Sequence, residues 1–315
     1  PRRDPHDLLR AGAHRATSIL CMMTEHDKEE ETTTDGIIRG GATLTTLLAS
    51  PSADIQGHAL AAIVTLISTC TDSETPDLDP VAAVDMCRQI TDALGGAGGY
   101  EAMLRAMGGG DVRVVGVATT LLSKLVDLQS EQVLAALRRS NGARVLVEML
   151  QRVAPAPLAR EVRQAALSVL ARVTEGDPFD AAVNQSMRQA AAAGGVATLL
   201  SVVMTMTHDR GGGGGGGDME ADMEMRERAS SILADLSASP EFTEHMITEG
   251  ALPKLYRMVV DPRCVGEPSK LARNQNQNGS GGGGDGALPM NTMALVAYSN
   301  LLNHSTNPQD ALQAI

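Results

Sequence analysis

A short pattern recurs five times along the chain, and this recurrence constrains the fold more than any other feature. Each copy begins with two small residues, most of them glycines, and continues with apolar residues at helical spacing. The paired small residues are Gly40-Gly41, Gly98-Gly99, Asn141-Gly142, Gly194-Gly195 and Gly250-Ala251. Self-similarity of this kind predicts a repeat architecture, because one unit cannot bury its own apolar side and must stack on its neighbours.

A second pattern follows each copy and is centred on an alanine. The five alanines are Ala59, Ala118, Ala166, Ala229 and Ala294. Apolar residues come four and seven positions after each alanine, which is the period of a helix with one buried stripe. Because a larger side chain would overpack the contact, we expect each alanine to lie where two helices approach closely.

The spacing of the two patterns gives the length of the repeat. The interval from the second small residue to the alanine ranges from 18 to 43 residues, and the interval from the alanine to the next copy ranges from 22 to 40. The shortest interval of each kind together make about 40 residues, which lies in the range of armadillo and HEAT repeats. The longer intervals therefore contain insertions.

The unit resembles an armadillo repeat, which has a short first helix, a turn of small residues, a second helix and a long third helix. The segment 239–253, which includes Ser239-Pro240 and Gly250-Ala251, is the most similar. The resemblance covers nearly the whole chain, although it identifies no specific member of the family. It implies an all-α fold, a right-handed α-solenoid of about five armadillo-like repeats with partial repeats at both ends and long Gly-rich loops.

The resemblance also predicts the organisation of the chain, as a single armadillo-repeat array over residues 1–315. The third helix of a partial repeat is expected at 7–26, full repeats at 27–70, 80–128, 129–175, 178–238 and 240–304, and the start of a further repeat at 307–315. Flexible insertions are expected at 71–80, 205–224 and 261–289, of which the last two are rich in glycine. The sequence leaves open whether these insertions contact a partner or are neutral expansions of loops.

Composition restricts the kind of partner. The formal charge is −12, and the aromatic residues are two Phe and three Tyr, with no Trp. Binding of nucleic acid needs a basic surface and, for single strands, aromatic platforms, so we expect no nucleic-acid partner. Between Arg105 and Arg188 the chain has 11 Lys and Arg against 8 Asp and Glu, so a mildly basic centre lies between acidic flanks.

Cysteine usage indicates a compartment. Cys21, Cys70, Cys87 and Cys264 show no paired spacing, so we expect free thiols in a reducing environment. The predicted location is intracellular, in the cytoplasm, with the nucleus left open. No apolar run approaches the roughly 18 residues of a membrane span. The sequence is interpreted as an excerpt of a longer protein.

The sequence contains no motif that predicts catalysis, a metal site or a cofactor. The glycine run 211–217 is followed by Asp218, Met219 and Glu220, whereas a phosphate-binding loop ends in Lys and Ser or Thr. The seven histidines lack the short spacing to Cys or His that a zinc site needs. No nucleophile signature is present. We therefore expect no enzyme activity, no cofactor and no small-molecule substrate within these residues.

Candidate binding residues lie on the predicted third helices. In the armadillo family these helices line a concave groove that holds an extended segment or a helix of another protein, and in importin alpha a Trp and an Asn at fixed positions hold a basic peptide. The resemblance places Ala61, Thr120, Ser168, Ser231 and Val296 at the Trp positions, and Thr65, Lys124, Arg172, Asp235 and Asn300 at the Asn positions. Only Asn300 matches, so the resemblance argues against the binding of import cargo.

The predicted groove therefore has small walls and a mixed floor. Its candidate residues are Thr65, Thr120, Lys124, Ser168, Arg172, Ser231, Asp235 and Asn300. Two of them, Lys124 and Arg172, are cations near the centre of the array. They could accept an acidic segment of a partner, or they could be solvated residues on an exposed face. The sequence leaves both interpretations open.

These observations favour a scaffold or adaptor that binds another protein along the groove. One alternative is a regulator of an ATPase, since some armadillo proteins act as nucleotide-exchange factors for Hsp70 chaperones or as myosin-directed chaperones. The segment 98–107 resembles repeats of such proteins, at the level of general armadillo similarity. A second alternative, a nuclear-import adaptor of the importin-alpha type, is disfavoured by the groove residues.

Overall fold

A computed structural model describes residues 40–71, 80–109, 111–128, 131–152, 157–177, 179–205, 216–260 and 290–305. Within these ranges every regular element is an α-helix, and no strand occurs. The chain divides into two compact units, Pro1–Ser140 and Asn141–Ile315. Each unit is described by itself below.

The first unit contains six described helices. They are α1 (residues 40–48), α2 (Ala53–Thr71), α3 (Pro80–Gly96), α4 (Gly99–Gly108), α5 (Val112–Asp127) and α6 (Glu131–Arg139). Helices α3, α4 and α5 are the first, second and third helices of one complete repeat. Helices α1 and α2 are the second and third helices of the preceding repeat, and α6 is the first helix of the following one.

The second unit contains eight described helices. They are α7 (Gly142–Arg152), α8 (Pro157–Thr174), α9 (Ala181–Ala192), α10 (Gly195–Thr205), α11 (Gly216–Ala238), α12 (Pro240–Thr248), α13 (Ala251–Val260) and α14 (Met290–His304). Helices α9 to α11 and α12 to α14 are two complete repeats of three helices. Helices α7 and α8 are the second and third helices of the repeat before them.

Equivalent helices of successive repeats pack on one another in both units. In the first unit α2 packs on α5 and α3 contacts α6. In the second unit the third helices α8, α11 and α14 pack in succession, and so do the second helices α7, α10 and α13. The first helices α9 and α12 are also in contact. This layered stacking of like helices is the packing expected of an α-helical repeat array, and it confirms the predicted all-α, armadillo-like repeat fold within each unit.

A left-handed residue forms the turn between the first and second helices of a repeat. Gly98, Gly194 and Gly250 have φ of 77°, 79° and 71°, and Asn141 takes the same role with φ of 59°. Asparagine is among the few residues with a side chain that adopt this conformation readily. The residue after Gly194 is a second glycine, Gly195. A methyl group added there would lie 2.5 Å from the carbonyl oxygen of Ala190, so this glycine allows the chain to pass close to the preceding helix.

The anchor alanines lie in the core, as the sequence predicts. Ala118, Ala166, Ala229 and Ala294 are fully buried and Ala59 is 2% exposed. The leucines and valines at helical spacing after them are buried as well, including Leu170 and Val173 after Ala166 and Leu233 and Leu236 after Ala229. The apolar stripe is thus covered on α8 and α11, whereas on α14 Tyr298 is half-buried.

One predicted boundary is wrong. The sequence places a flexible insertion at 205–224, but α11 begins at Gly216. Two acidic residues in this part of α11 contact the neighbouring third helix α8: Asp222 pairs with Arg160 at 3.1 Å, and Glu224 accepts a hydrogen bond from Gln164. These polar contacts extend the helix towards its N-terminus, which hydrophobic periodicity alone does not reveal.

Several other predictions concern residues outside the described ranges. They are the partial repeat at 7–26, the first part of the repeat at 27–70, nearly all of the insertion at 71–80, the insertion at 261–289 and the start of a repeat at 307–315. The number of repeats and the handedness of the array likewise stay predictions. Among the predicted free thiols, Cys87 is free and buried, and burial raises the pKa of its thiol.

Within the described part of the chain, no single helix is long and apolar enough to cross a membrane. The two helices Ala181–Ala192 and Gly195–Met204, with a bend of 72° between them, pass the test of length and composition only as a pair.

We expect Ala166→Leu and Ala229→Leu to lower the free energy of unfolding by about 1–3 kcal/mol, because three further carbons cannot fit at a fully buried helix contact. Urea denaturation followed by circular dichroism measures this change. Ala197→Leu is the matched control, since Ala197 lies on an exposed face of α10, and its effect should be within about 0.5 kcal/mol. Equal stability of the Ala166 and Ala197 variants would contradict the assignment of the anchor position.

Candidate functional site

All eight candidate binding residues lie on third helices. They occupy the second or sixth position after the buried anchor alanine, and residues four apart share one face of a helix. Their surface in the first unit is formed by Thr65 on α2 and by Thr120 and Lys124 on α5. In the second unit it is formed by Ser168 and Arg172 on α8, Ser231 and Asp235 on α11 and Asn300 on α14. We call these two sets the third-helix surfaces of the first and second units.

The third-helix surface of the first unit is centred on a contact between α5 and α2. Lys124 is exposed, and its Nζ donates a hydrogen bond to Oγ of Ser68 at 3.1 Å. The hydroxyl of Thr120 donates to the carbonyl of Gly116 at 3.1 Å, and that of Thr65 donates to the carbonyl of Ala61 at 2.9 Å. Since a hydroxyl has one hydrogen, each of these threonines uses its donor within its own helix.

The third-helix surface of the second unit has serines at the positions nearest the core. Ser168 is 7% exposed and Ser231 is half-buried. Both positions have small hydroxyl side chains. They also provide none of the aromatic surface that stacks against a peptide in the importin-alpha arrangement, in agreement with the sequence interpretation.

A charged cluster follows these serines along the helices. Arg172, at the C-terminal end of α8, forms an ion pair with Glu175, with 2.5 Å between Nη1 and Oε2. The side chains are 40% and 59% exposed, so solvent screens this pair and its contribution to stability is small. The positive charge of Arg172 nevertheless has the negative charge of Glu175 beside it.

Asp235 on α11 has an unusual carboxyl group. Its burial and the negative charge of Glu175 raise the pKa of the carboxyl to about 7. Burial is the larger cause, because the ionised form loses hydration when it is removed from water. Asp235 therefore changes charge near neutral pH on an otherwise uncharged part of α11, between Ser231 and Leu236.

The third helices α11 and α14 are joined by another polar contact. Nδ2 of Asn300 donates a hydrogen bond to Oγ of Ser237 at 3.1 Å. Asn300 is half-buried and Ser237 is fully buried. Asn300 is the only candidate that matches the importin-alpha pattern, and its amide donates a hydrogen bond to the neighbouring third helix.

One rule relates these contacts. The residue six positions after the anchor alanine faces a residue eight or nine positions after the anchor of the preceding third helix. Lys124 meets Ser68 in this way and Asn300 meets Ser237, whereas the carboxyl of Asp235 experiences the charge of Glu175. The sequence interpretation missed Ser68, Glu175 and Ser237. The sequence would have indicated them if the positions eight and nine residues after each anchor alanine had been included.

The structure brings some candidate residues together and leaves others apart. Arg172 and Asp235 share the neighbour Glu175 within the second unit. Lys124 belongs to the first unit and Arg172 to the second, so a joint cationic docking site stays a prediction of the sequence. Among the described residues, no group of three or more His, Cys, Asp or Glu side chains could hold a metal ion.

We expect the free energy of unfolding to fall between about pH 4 and pH 7 because of Asp235. An unfolded aspartate has a pKa of about 3.9, whereas the folded pKa is about 7. Between these values the folded state binds more protons than the unfolded state, so stability decreases as pH rises. Asp235→Asn should remove this decrease and raise the melting temperature at pH 8 while changing it little at pH 4.

Thermal unfolding from pH 4 to pH 8 provides the measurement. Glu175→Gln is the companion variant, because it removes the smaller of the two causes and should shift the decrease to lower pH without abolishing it. If the parent and Asp235→Asn proteins lose stability in parallel, the environment assigned to Asp235 is wrong.

The comparisons with known proteins concern the fold. No family model matches the chain, and no curated protein gives a significant match. Among solved structures, the chain is similar to a designed armadillo repeat protein in complex with the peptide (KR)4, at 15% identity and a TM-score of 0.48, with 89% of this chain and 98% of that chain covered. It is also similar to a second designed armadillo repeat protein, at 14% identity and a TM-score of 0.49, with the same coverage of both chains. A third similar structure is an engineered protein, at 16% identity and a TM-score of 0.47, with 91% of this chain and 98% of that chain covered. By its own helix order and packing, each unit of the chain is built from armadillo-like repeats of three helices.

Proposed function

We propose that the chain is a non-catalytic scaffold that binds another protein along its third-helix surfaces. The observation that carries this proposal is the side-by-side packing of α8, α11 and α14 in the second unit. Because equivalent positions recur on adjacent helices, side chains are presented at regular intervals. A regular row of sites suits a partner whose own groups recur regularly, such as an extended segment or a helix.

The side chains of this surface support a polar mode of binding. Ser168 and Ser231 are small, Asn300 has an amide, and Asp235 and Arg172 provide charge. Hydrogen bonds to a partner's backbone would give affinity with little dependence on its side chains, whereas the charged positions would set specificity. The partner is therefore expected to be chosen by its charge pattern more than by an apolar anchor at this surface.

Lys124 is the cation we assign to an acidic group of the partner. Its ammonium has three donors, of which one is directed at Ser68, and its side chain is exposed on the third helix α5. Arg172 is a weaker candidate, because it already forms an ion pair with Glu175. We thus keep the hypothesis of an acidic docking segment and assign the contact mainly to Lys124, with Arg172 in a smaller role.

The alternatives from the sequence have no specific support among the described residues. A chaperone-type regulator of an ATPase and a nuclear-import adaptor both remain predictions, as does the location in the cytoplasm or nucleus. A nucleotide-release assay on an Hsp70 or myosin ATPase would separate the first alternative from a scaffold.

We expect Lys124→Glu to reduce the recovery of one specific partner by roughly tenfold, because charge reversal replaces attraction by repulsion at the docking position. Affinity purification with mass spectrometry compares the parent chain with Lys124→Glu, Arg172→Glu and the double variant. Arg172→Glu alone should have the smaller effect, since its charge is already accompanied by Glu175.

Arg105→Glu provides the matched control, because Arg105 is an exposed cation on the second helix α4 of the same repeat. All variants must first have equal melting temperatures. Loss of the partner from the Lys124 variant but not from the Arg105 variant supports the proposal. Identical partner lists for all variants would mean that the partner binds elsewhere on the chain.

A further inference from the structure

The short loop between α8 and α9 in the second unit carries an exposed phenylalanine. Phe179 is 91% exposed, more than any other large apolar side chain in the described residues. The chain has only two phenylalanines, and the other one, Phe242, lies in the core with 4% exposure. An exposed phenyl group does not gain the favourable free energy that burial would provide. The position of Phe179 on the surface therefore needs a physical reason.

Hydrogen bonds of the loop do not depend on the phenyl group. Oδ1 of Asp177 accepts the backbone N–H of Phe179 at 2.9 Å, and the carbonyl of Asp177 accepts the N–H of Asp180 at 2.9 Å. The carboxylate of Asp180 then caps α9 by accepting the N–H groups of Ala182 and Val183 at 2.8 and 3.1 Å. These hydrogen bonds thus hold the backbone on either side of Phe179 without using its side chain.

The usual structural role of an apolar residue at this position is absent. A hydrophobic residue just before a helix N-cap commonly packs against the fourth residue of the helix. In α9 the N-cap is Asp180, so the fourth residue is Asn184, a half-buried polar residue. Phe179 thus has no apolar partner at the helix start and extends into solvent, which leaves it available to another molecule.

Acidic residues flank Phe179 along the chain. Glu175, Asp177 and Asp180 are all exposed, so three acidic residues lie within four positions of Phe179. Arg172 pairs with Glu175, the most distant of the three along the chain. An isolated aromatic group with a negative border is complementary to an apolar pocket that has a positive border.

We propose that Phe179 is the anchor of a second protein-binding site, distinct from the third-helix surfaces, which inserts into an apolar pocket bordered by Lys or Arg on a partner protein. The aromatic ring supplies the buried contact area, and the carboxylates of Asp177 and Asp180 align with the cations at the rim of the pocket. The site does not depend on the function proposed for the third-helix surfaces, since Phe179 lies in a loop outside the third helices.

The first experiment places a photoreactive phenylalanine analogue at position 179 of the full chain and irradiates cells that express it. The protein that is crosslinked is then purified and titrated against the parent chain and its variants. Phe179→Ala should weaken binding by about tenfold or more, because it removes most of the buried apolar area. Phe179→Leu should retain part of the affinity.

The charge component has its own variant. Asp177→Asn with Asp180→Asn keeps an oxygen acceptor at each position and so retains the turn and the N-cap, but removes two negative charges. This double variant should bind more weakly and lose most of the salt dependence of the affinity. Val112→Ala, at a valine that is 75% exposed on α5, is the matched control for the loss of an exposed apolar group and should bind like the parent.

A fluorescence measurement tests the exposure of position 179 directly. The chain has no Trp, so Phe179→Trp introduces a single reporter. Its emission should resemble that of tryptophan in water for the isolated chain and shift to shorter wavelength when the purified partner is added. A buried emission in the isolated chain, the absence of any crosslinked protein, or equal affinity of the parent and Phe179→Ala would each overturn the proposal. If Phe179→Ala weakens binding but the affinity depends neither on salt nor on the Asp177 and Asp180 substitutions, the assignment of a positive rim is wrong.

Discussion

The packing of one third helix against the next is the interaction on which the rest of the structure depends. A single repeat has too little apolar surface to fold by itself, so its stability comes from the stripe that it shares with its neighbours. The anchor alanines permit this contact: Ala166, Ala229 and Ala294 are fully buried on consecutive third helices of the second unit. Turns with a left-handed residue, such as Gly194, return the chain so that the next set of helices repeats the same contact.

This constraint also determines what the third helices can present to a partner. One face of each helix is committed to packing, and the candidate residues lie two and six positions after the anchor. In the first unit they include Thr120 and Lys124, and in the second unit they include Ser231 and Asp235. Small hydroxyls lie beside single charges on this surface, and the pKa of Asp235 is raised to about 7 by burial and by Glu175. Polar contacts between neighbouring third helices, such as that of Lys124 with Ser68, join the candidate residues to the stacking of the repeats.

Much of the fold could be predicted from the sequence because its determinants are local and repeated. Small-residue turns and anchor alanines recur with a recognisable spacing, and residues such as Asn141 and Ala118 have the backbone geometry and burial that the spacing implies. The influence of Glu175 on Asp235 could not be predicted, because it depends on the offset between adjacent helices, which no single repeat encodes. The start of α11 at Gly216 and the exposure of Phe179 depend on polar contacts and on the lack of an apolar neighbour, and hydrophobic patterns report neither.

The most direct test of a third-helix binding surface is hydrogen–deuterium exchange of the full chain, with and without its purified partner, read out on peptides from every described helix. The account predicts that the partner slows exchange on third helices, with α5 and α11 among those affected, while the first helices α9 and α12 exchange at the same rate in both samples. Protection confined to the first helices would contradict it, because the partner would then bind to a face on which none of the third-helix residues lies.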